Sequence, residues 1–333
     1  AVHSVDIHAH FYTHSYLDTL EKHGHRVNCS VTRTDEGVII VMPSGARQNP
    51  LTEIYTDIEP RLALMDDKKV DMQALSLTSP MCHFSDAALN RDLAQGYNDG
   101  ASEFHTQYPD RFVGLIALPM LSAEDSVAEL ERASKLPGMR GVYMGTNIDG
   151  HNLSEERFAP IWAKVAELGL PVFLHPVMGI MRERLTDYHT INTLGNPFDS
   201  TIAATFIIMS GLLDRHPELT INLPHAGGVL PYVISRVDHG WRVRPECRHL
   251  QNAPSSYLRR FSYDTISHGD EQLKFLASLV GIDRIMMGSD YCFDMGYEQP
   301  VEHVLRQAWM SEADKALVAG GNARRVLGIP DPA

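Results

Sequence analysis

Cysteine is scarce and scattered in this chain. The four present, Cys29, Cys82, Cys247 and Cys292, lie far apart and form no CxxC pair, which makes disulfides unlikely candidates and fits a reducing compartment. Long apolar runs are missing too: none approaches the roughly 20 residues that a membrane span requires. The formal charge is −13 and no basic run offsets it, which argues against nucleic acid and anionic membranes as partners. There is no internal repeat and no low-complexity tract. The opening Ala-Val-His-Ser does not resemble a signal peptide, so the expected location is the cytoplasm.

What is present is the composition of a soluble globular protein, 44% hydrophobic and 21% charged. At 333 residues the chain suits either two ordinary domains or one (β/α)8 barrel. Short β-branched or apolar runs near 4–8, 72–77, 112–117, 140–145, 171–175, 219–224, 260–265 and 284–289 read as strands. Between them, helical patterns fall near 59–68, 85–108, 122–135, 155–168, 199–215, 229–243, 270–280 and 311–326. Phe158, Ile161, Trp162 and Val165, for example, share one helical face. Strands that alternate with helices point to a parallel barrel.

The expected fold is therefore a distorted (β/α)8, TIM-like barrel, one domain over 1–333. It carries a small β insertion at 11–58, after the first strand: helix-like 14–23, then strand-like 27–34 and 37–43. This segment is placed to lid the catalytic mouth. Residues 177–200 form a second long connection on that face.

Four pieces spread along the chain end a strand-like run with a residue able to bind metal: Asp6-Ile7-His8-Ala9-His10, Phe173-Leu174-His175-Pro176, Leu223-Pro224-His225-Ala226 and Gly288-Ser289-Asp290. Residues at the carboxyl ends of barrel strands converge although they are distant in sequence. His8 and His10, at i and i+2 of a strand, point to one side. An HxH pair is a weak signal alone, in a chain with 17 histidines. His175 reads either as a ligand or as a backbone-capped strand end, and Asp290 as a ligand and proton acceptor or as a helix N-cap. His225 reads as general base or acid beside a metal-bound water, because imidazole titrates near neutrality; a fourth histidine ligand is the other reading. Three nitrogens and one oxygen with an open position suit one divalent ion, zinc first, with manganese or iron as alternatives.

On these residues the chain resembles the amidohydrolase superfamily, in the branch of 2-amino-3-carboxymuconate-6-semialdehyde decarboxylase and related decarboxylases. The run from Arg111 to Pro119, and Arg236 to Trp241, also look like that branch. The likeness extends from residue 5 to about 328. It implies a metal held by His8, His10, His175 and Asp290, with His225 and Asp290 catalytic. The fourth strand, Gly141-Val142-Tyr143-Met144-Gly145, ends without lysine, which disfavours a carbamylated two-metal site.

The resemblance further implies that Arg47 and Arg236 grip a substrate carboxylate, Arg236 across a homodimer; the plain alternative for each is a surface ion pair. Val177 with Met178 and Gly179, Phe293 with Asp294, and 192–196 depart from the branch's pattern and are expected to line the substrate pocket. Asp264 is expected to orient His225 or a ligand. The function expected is metal-dependent, non-oxidative decarboxylation of an unsaturated or aromatic carboxylic acid, a small-molecule carboxylate substrate. The alternative is hydrolysis of an amide, lactone or related ring by the same water, and a metal-binding barrel without activity is a third reading.

Overall fold

The structure, a computed structural model, describes residues 3–177 and 181–332. β1 (Val5–His10) leads into a hairpin, β2 (Ser30–Thr34) and β3 (Gly37–Val41), and then to β4 (Met72–Ser76), β5 (Phe112–Ile116) and β6 (Met139–Gly145). A short hairpin, β7 (Asn147–Ile148) and β8 (His151–Asn152), precedes β9 (Val172–His175), β10 (Ile221–Leu223), β11 (Phe261–Asp264) and β12 (Ile285–Met286). Apart from the two hairpins, the strands form one eight-stranded sheet in the order β1-β4-β5-β6-β9-β10-β11-β12. The sheet closes on itself: Ile7 N donates to Met287 O at 3.0 Å and Asp290 N to His8 O at 2.8 Å. This is the (β/α)8 barrel expected from the alternation.

The helices are α1 (His14–His23), α2 (Ile58–Asp67), α3 (Ala87–Gln107), α4 (Ala123–Ala133), α5 (Ala159–Leu168), α6 (Asn196–Met209), α7 (Leu212–Arg215), α8 (Leu230–Val243), α9 (Asp270–Val280), α10 (Pro300–Leu305), α11 (Glu312–Ala316) and α12 (Asn322–Leu327). Local chemistry sets several of their starts. The side chains of Asp86 and Ser122 accept from Leu89 N and Asp125 N, capping α3 and α4. α3 then buries Leu89, Leu93, Tyr97 and Ala101, a 3–4 residue spacing that seats one face on the sheet.

Alternation along the strands divides the core in two. Met72 and Ala74 of β4, Val113 and Leu115 of β5, Tyr143 and Phe173 fall in one cluster, the barrel interior. Leu75, Phe112, Ile116, Val142, Val172 and Leu174 join the larger cluster that packs under the helices.

Two segments differ from expectation. The helix expected at 311–326 is interrupted by a π turn at Leu317–Gly321. A Cβ on Gly320 would lie 2.0 Å from His3 O, so the chain bulges where it passes under the N-terminal segment. Residues 300–305 are helical without an expectation for them, with Pro300 at the helix start.

The segment between β1 and α2 forms the expected helix and hairpin. Tyr55 OH donates to Cys292 O at 3.0 Å and Gln48 Nε2 to Ser79 O at 2.9 Å, which ties it to loops at the carboxyl ends of the strands. No helix among the described residues is long and apolar enough to cross a membrane.

Candidate metal centre

His8 and His10 end β1, His175 ends β9, and Asp290 stands four residues past the end of β12 with φ +61°. One donor atom from each lies within 4.8 Å of all the others. His8 Nε2 and His10 Nε2 are 3.2 Å apart, and Asp290 Oδ1 lies 3.2 Å from the first and 3.0 Å from the second. The His175 ring centroid is 5.1 Å from that of His8 and 4.7 Å from that of His10. All four residues are buried.

The outward nitrogens of the three rings are already engaged. His8 Nδ1 faces Asp264 Oδ2 at 2.9 Å, His10 Nδ1 faces Ser76 Oγ at 3.2 Å, and His175 Nδ1 faces Pro176 O at 3.0 Å. The Nε2 atoms of His8 and His10 and Asp290 Oδ1 converge, and His175 Nε2 is buried without a hydrogen-bond partner. An orphaned buried nitrogen is costly unless something is meant to meet it. Imidazoles oriented by partners on their far side, facing a carboxylate, are the donor set of a divalent-cation site, and these residues fit one.

Electrostatics within the cluster are lopsided. Burial pulls the His8 imidazole down, but Asp290 and Asp264 outweigh it and raise its pKa to about 10. Burial carries His10 down to about 4 against the pull of Asp290. Burial and then the neighbouring His10 and His8 hold His175 well below the usual range. Asp290, despite burial, is kept well below the usual carboxylate range by His8, His10 and His225. Two neutral rings and an ionised carboxylate are thus ready to coordinate, and His8 carries the proton that an ion would displace.

His225 follows β10 on a tight turn in which residues 225–228 all have positive φ. Its Nε2 lies 3.4 Å from Asp290 Oδ2, and its Nδ1 is buried without a partner. Asp264 shapes the turn: Oδ2 accepts from His225 N at 3.0 Å and Oδ1 from Ala226 N at 2.8 Å. One carboxylate therefore orients both a candidate ligand, His8, and the backbone under His225.

His225 and Asp290 also line a cavity of about 360 Å³, a size suited to a single substituted ring. Its wall is largely apolar, with Leu194, Phe198, Val229, Ile266 and Phe275 among the lining residues. Gly228 makes this shape possible, because a Cβ there would lie 2.3 Å from Pro197 O at a φ of +63°.

The remaining expected site residues are placed differently. Phe293 sets its ring 5.3 Å from that of His10, on the centre but not on this cavity. Val177 accepts from Asn147 Nδ2 at 2.7 Å and is also off the cavity wall. Arg47, Arg236 and Asp294 are exposed, and none of the three lines the cavity. Met178 and Gly179 lie outside the described residues.

Sequence reasoning did not assign Ser76, which meets His10, nor Asp6. The Asp6 carboxylate accepts from Ser289 Oγ and from Gln73 Nε2, the latter at 3.2 Å, and Gln73 in turn accepts from buried Arg61 at 2.8 Å. Asp6 stands two residues before His8, and its spacing was a signal that could have marked it. The run 192–196 was expected at the pocket; the loop after β11 was not.

The chain is similar to known proteins over nearly its whole length. The family described as Amidohydrolase matches residues 5–329. A 2-amino-3-carboxymuconate-6-semialdehyde decarboxylase from Dictyostelium discoideum is 31% identical over 334 residues, covering 98% of this chain and 92% of that one. The 5-carboxyvanillate decarboxylase of Sphingomonas paucimobilis superposes with a TM-score of 0.86 at 25% identity, over 99% of this chain and 100% of that one. A dihydroxybenzoic acid decarboxylase from Polaromonas, solved with manganese and 2-nitroresorcinol bound, superposes at 0.81 with 25% identity, over 100% of this chain and 98% of that one.

Proposed function

The chain belongs to the amidohydrolase family, and from that premise we propose that it is a metal-dependent, non-oxidative decarboxylase of an unsaturated or aromatic carboxylic acid. The observation that carries this reading is the position of Asp290, which both completes the donor set and lines the cavity beside His225. His8, His10, His175 and Asp290 hold the ion, zinc by donor type, with manganese as the alternative suggested by the Polaromonas enzyme. A divalent ion held by these residues would supply Lewis acidity at the cavity floor.

The chain's own groups do the rest. The apolar wall packs the ring or unsaturated chain and excludes water, which strengthens every charge interaction at the cavity floor. The bond to the carboxylate breaks, its electron pair stays on the substrate carbon, and a proton passed by His225 takes the place of CO2. Asp290 Oδ2, 3.4 Å from His225 Nε2, orients that imidazole.

Arg236 and Arg47 are assigned to the substrate carboxylate, and Val177, Phe293 and Asp294 to the lining of the substrate pocket. Arg236 is exposed on α8, one turn beyond Tyr232, an 83% exposed residue of the cavity wall. From that face it reaches a neighbouring copy, and the exposed Phe198 and Phe206 on α6 supply the apolar contact of a homodimer. All four cysteines are unpaired, which suits a cytoplasmic enzyme.

The test is CO2 release from carboxymuconates and hydroxybenzoates by Zn2+- or Mn2+-loaded protein, with loss on chelation and recovery on reloading. Conversion with solvent oxygen-18 entering the product, and no CO2, would establish the hydrolase instead.

A further inference from the structure

The cavity beside the metal centre contains no lysine or arginine among its described lining residues. A second polar group that rests on this wall, remote from the leaving carboxylate and its arginines, is met by neutral donors or by an imidazole. Asn192, Thr193, Asn196 and Tyr232 line one part of it, and the loop after β11 with the first turn of α9 supplies Ser267, His268 and Gln272. Ser267 is committed locally, its Oγ donating to Gly269 O at 2.8 Å, and Gln272 Oε1 lies against Gly269, where a Cβ would meet it at 1.9 Å.

His268 is different. It is exposed on the cavity wall, and among the described residues its ring stacks on Tyr297, at 4.9 Å and 17°. Tyr297 stacks in turn on His303, 4.1 Å away at 19°, and His303 is 1% exposed. The Tyr297 backbone N donates to Ser289 O at 2.8 Å, next to Asp290. A buried ring, a tyrosine and a backbone bond thus support the His268 imidazole on the cavity wall. Orientation by stacking with free polar edges is how a site recognises a substituent without spending a charge on it.

We propose that His268 is a specificity-determining residue, donating a ring N–H to an oxygen substituent of the substrate, a hydroxyl or a second carboxylate, remote from the carboxylate that leaves. This rests on the decarboxylase reading above.

The experiment titrates Mn2+-loaded protein calorimetrically with benzoate, its three monohydroxy derivatives, and its 3- and 4-carboxy derivatives. The variants are His268→Gly, which suits the φ of +54° at this position, His268→Asn, which keeps a donor, and Tyr297→Leu, which removes the stacking platform. In the wild type at least one substituted acid binds about tenfold more tightly than benzoate, the scale of one good hydrogen bond. His268→Gly brings that preference to within about twofold of unity with benzoate affinity unchanged, and His268→Asn and Tyr297→Leu fall between. A wild type without preference, or a glycine variant that keeps it, overturns the assignment. CO2 release is followed on the same acids: no CO2 with the preference intact overturns the decarboxylase reading and leaves His268 assigned.

Discussion

Asp264 Oδ2 lies 2.9 Å from His8 Nδ1, and this bond determines which nitrogen of His8 faces the centre. Because the same carboxylate also accepts from His225 N and Ala226 N, the proposed ligand and the proposed proton-handling residue share one anchor. Asp264→Asn weakens the charge on that anchor without changing its size. Divalent-ion affinity is expected to fall by about 10–100-fold, read by competition with a chelating dye. Unchanged affinity would show that Asp264 serves only the turn.

His225→Asn separates proton handling from ligation. The variant is expected to bind one equivalent of metal like the wild type, while kcat for CO2 release drops by about 10²–10⁴-fold. Parallel loss of metal and activity would instead make His225 a fourth histidine ligand.

The raised pKa of His8 predicts a proton count. Burial lowers it, but Asp290 and Asp264 lift it to about 10 without metal, whereas His10, at about 4, is neutral at pH 7.5. Binding a divalent ion at pH 7.5 should therefore release one proton, measured by calorimetry in two buffers of different ionisation enthalpy. Since the folded value exceeds the unfolded one of about 6.5, His8 stabilises the metal-free fold fully below that pH. The contribution disappears as pH rises through about 10. The metal-free protein should lose stability between pH 7 and 10, and the absence of both effects would refute this charge state.

Gly228→Ala tests the link between backbone and cavity. The methyl would meet Pro197 O at 2.3 Å with φ at +63°, so the turn or the start of α6 has to move. A cost of about 1–3 kcal/mol in denaturant unfolding is expected, with weaker aromatic-acid binding because Pro197 and Phe198 line the cavity. Wild-type stability and binding would mean that α6 yields freely.

Much of the barrel was legible in the sequence because buried parallel strands are short apolar runs between helical periodicities. Leu170–Pro176 and Ile221–His225 are such runs, and their terminal histidines fall where strand ends converge. The last helix was less legible: its π turn depends on where His3 lies over Gly320, a contact between the two ends of the chain. The cavity wall was only partly legible. The residues 192–196 stood out as unusual, but Ser267, His268 and Gln272 lie beyond Asp264, the residue that marked this strand end, and no motif of their own draws attention to them.

The sequence by itself determined the kinds of donor, their order, and the strand ends that carry them, because these depend on local pattern and residue chemistry. Only the tertiary structure decided their aim. Val5 and Ile7 pack in the interior cluster, so simple alternation would turn His8 and His10 away from it. A register shift between Asp6 and Ala9 against β4 reverses the parity and brings both imidazoles inward. Asp264, Ser76 and the Pro176 carbonyl, all remote or non-periodic in sequence except the last, then choose which nitrogen each ring presents. That choice is made by contacts across the closed barrel, which no local pattern encodes.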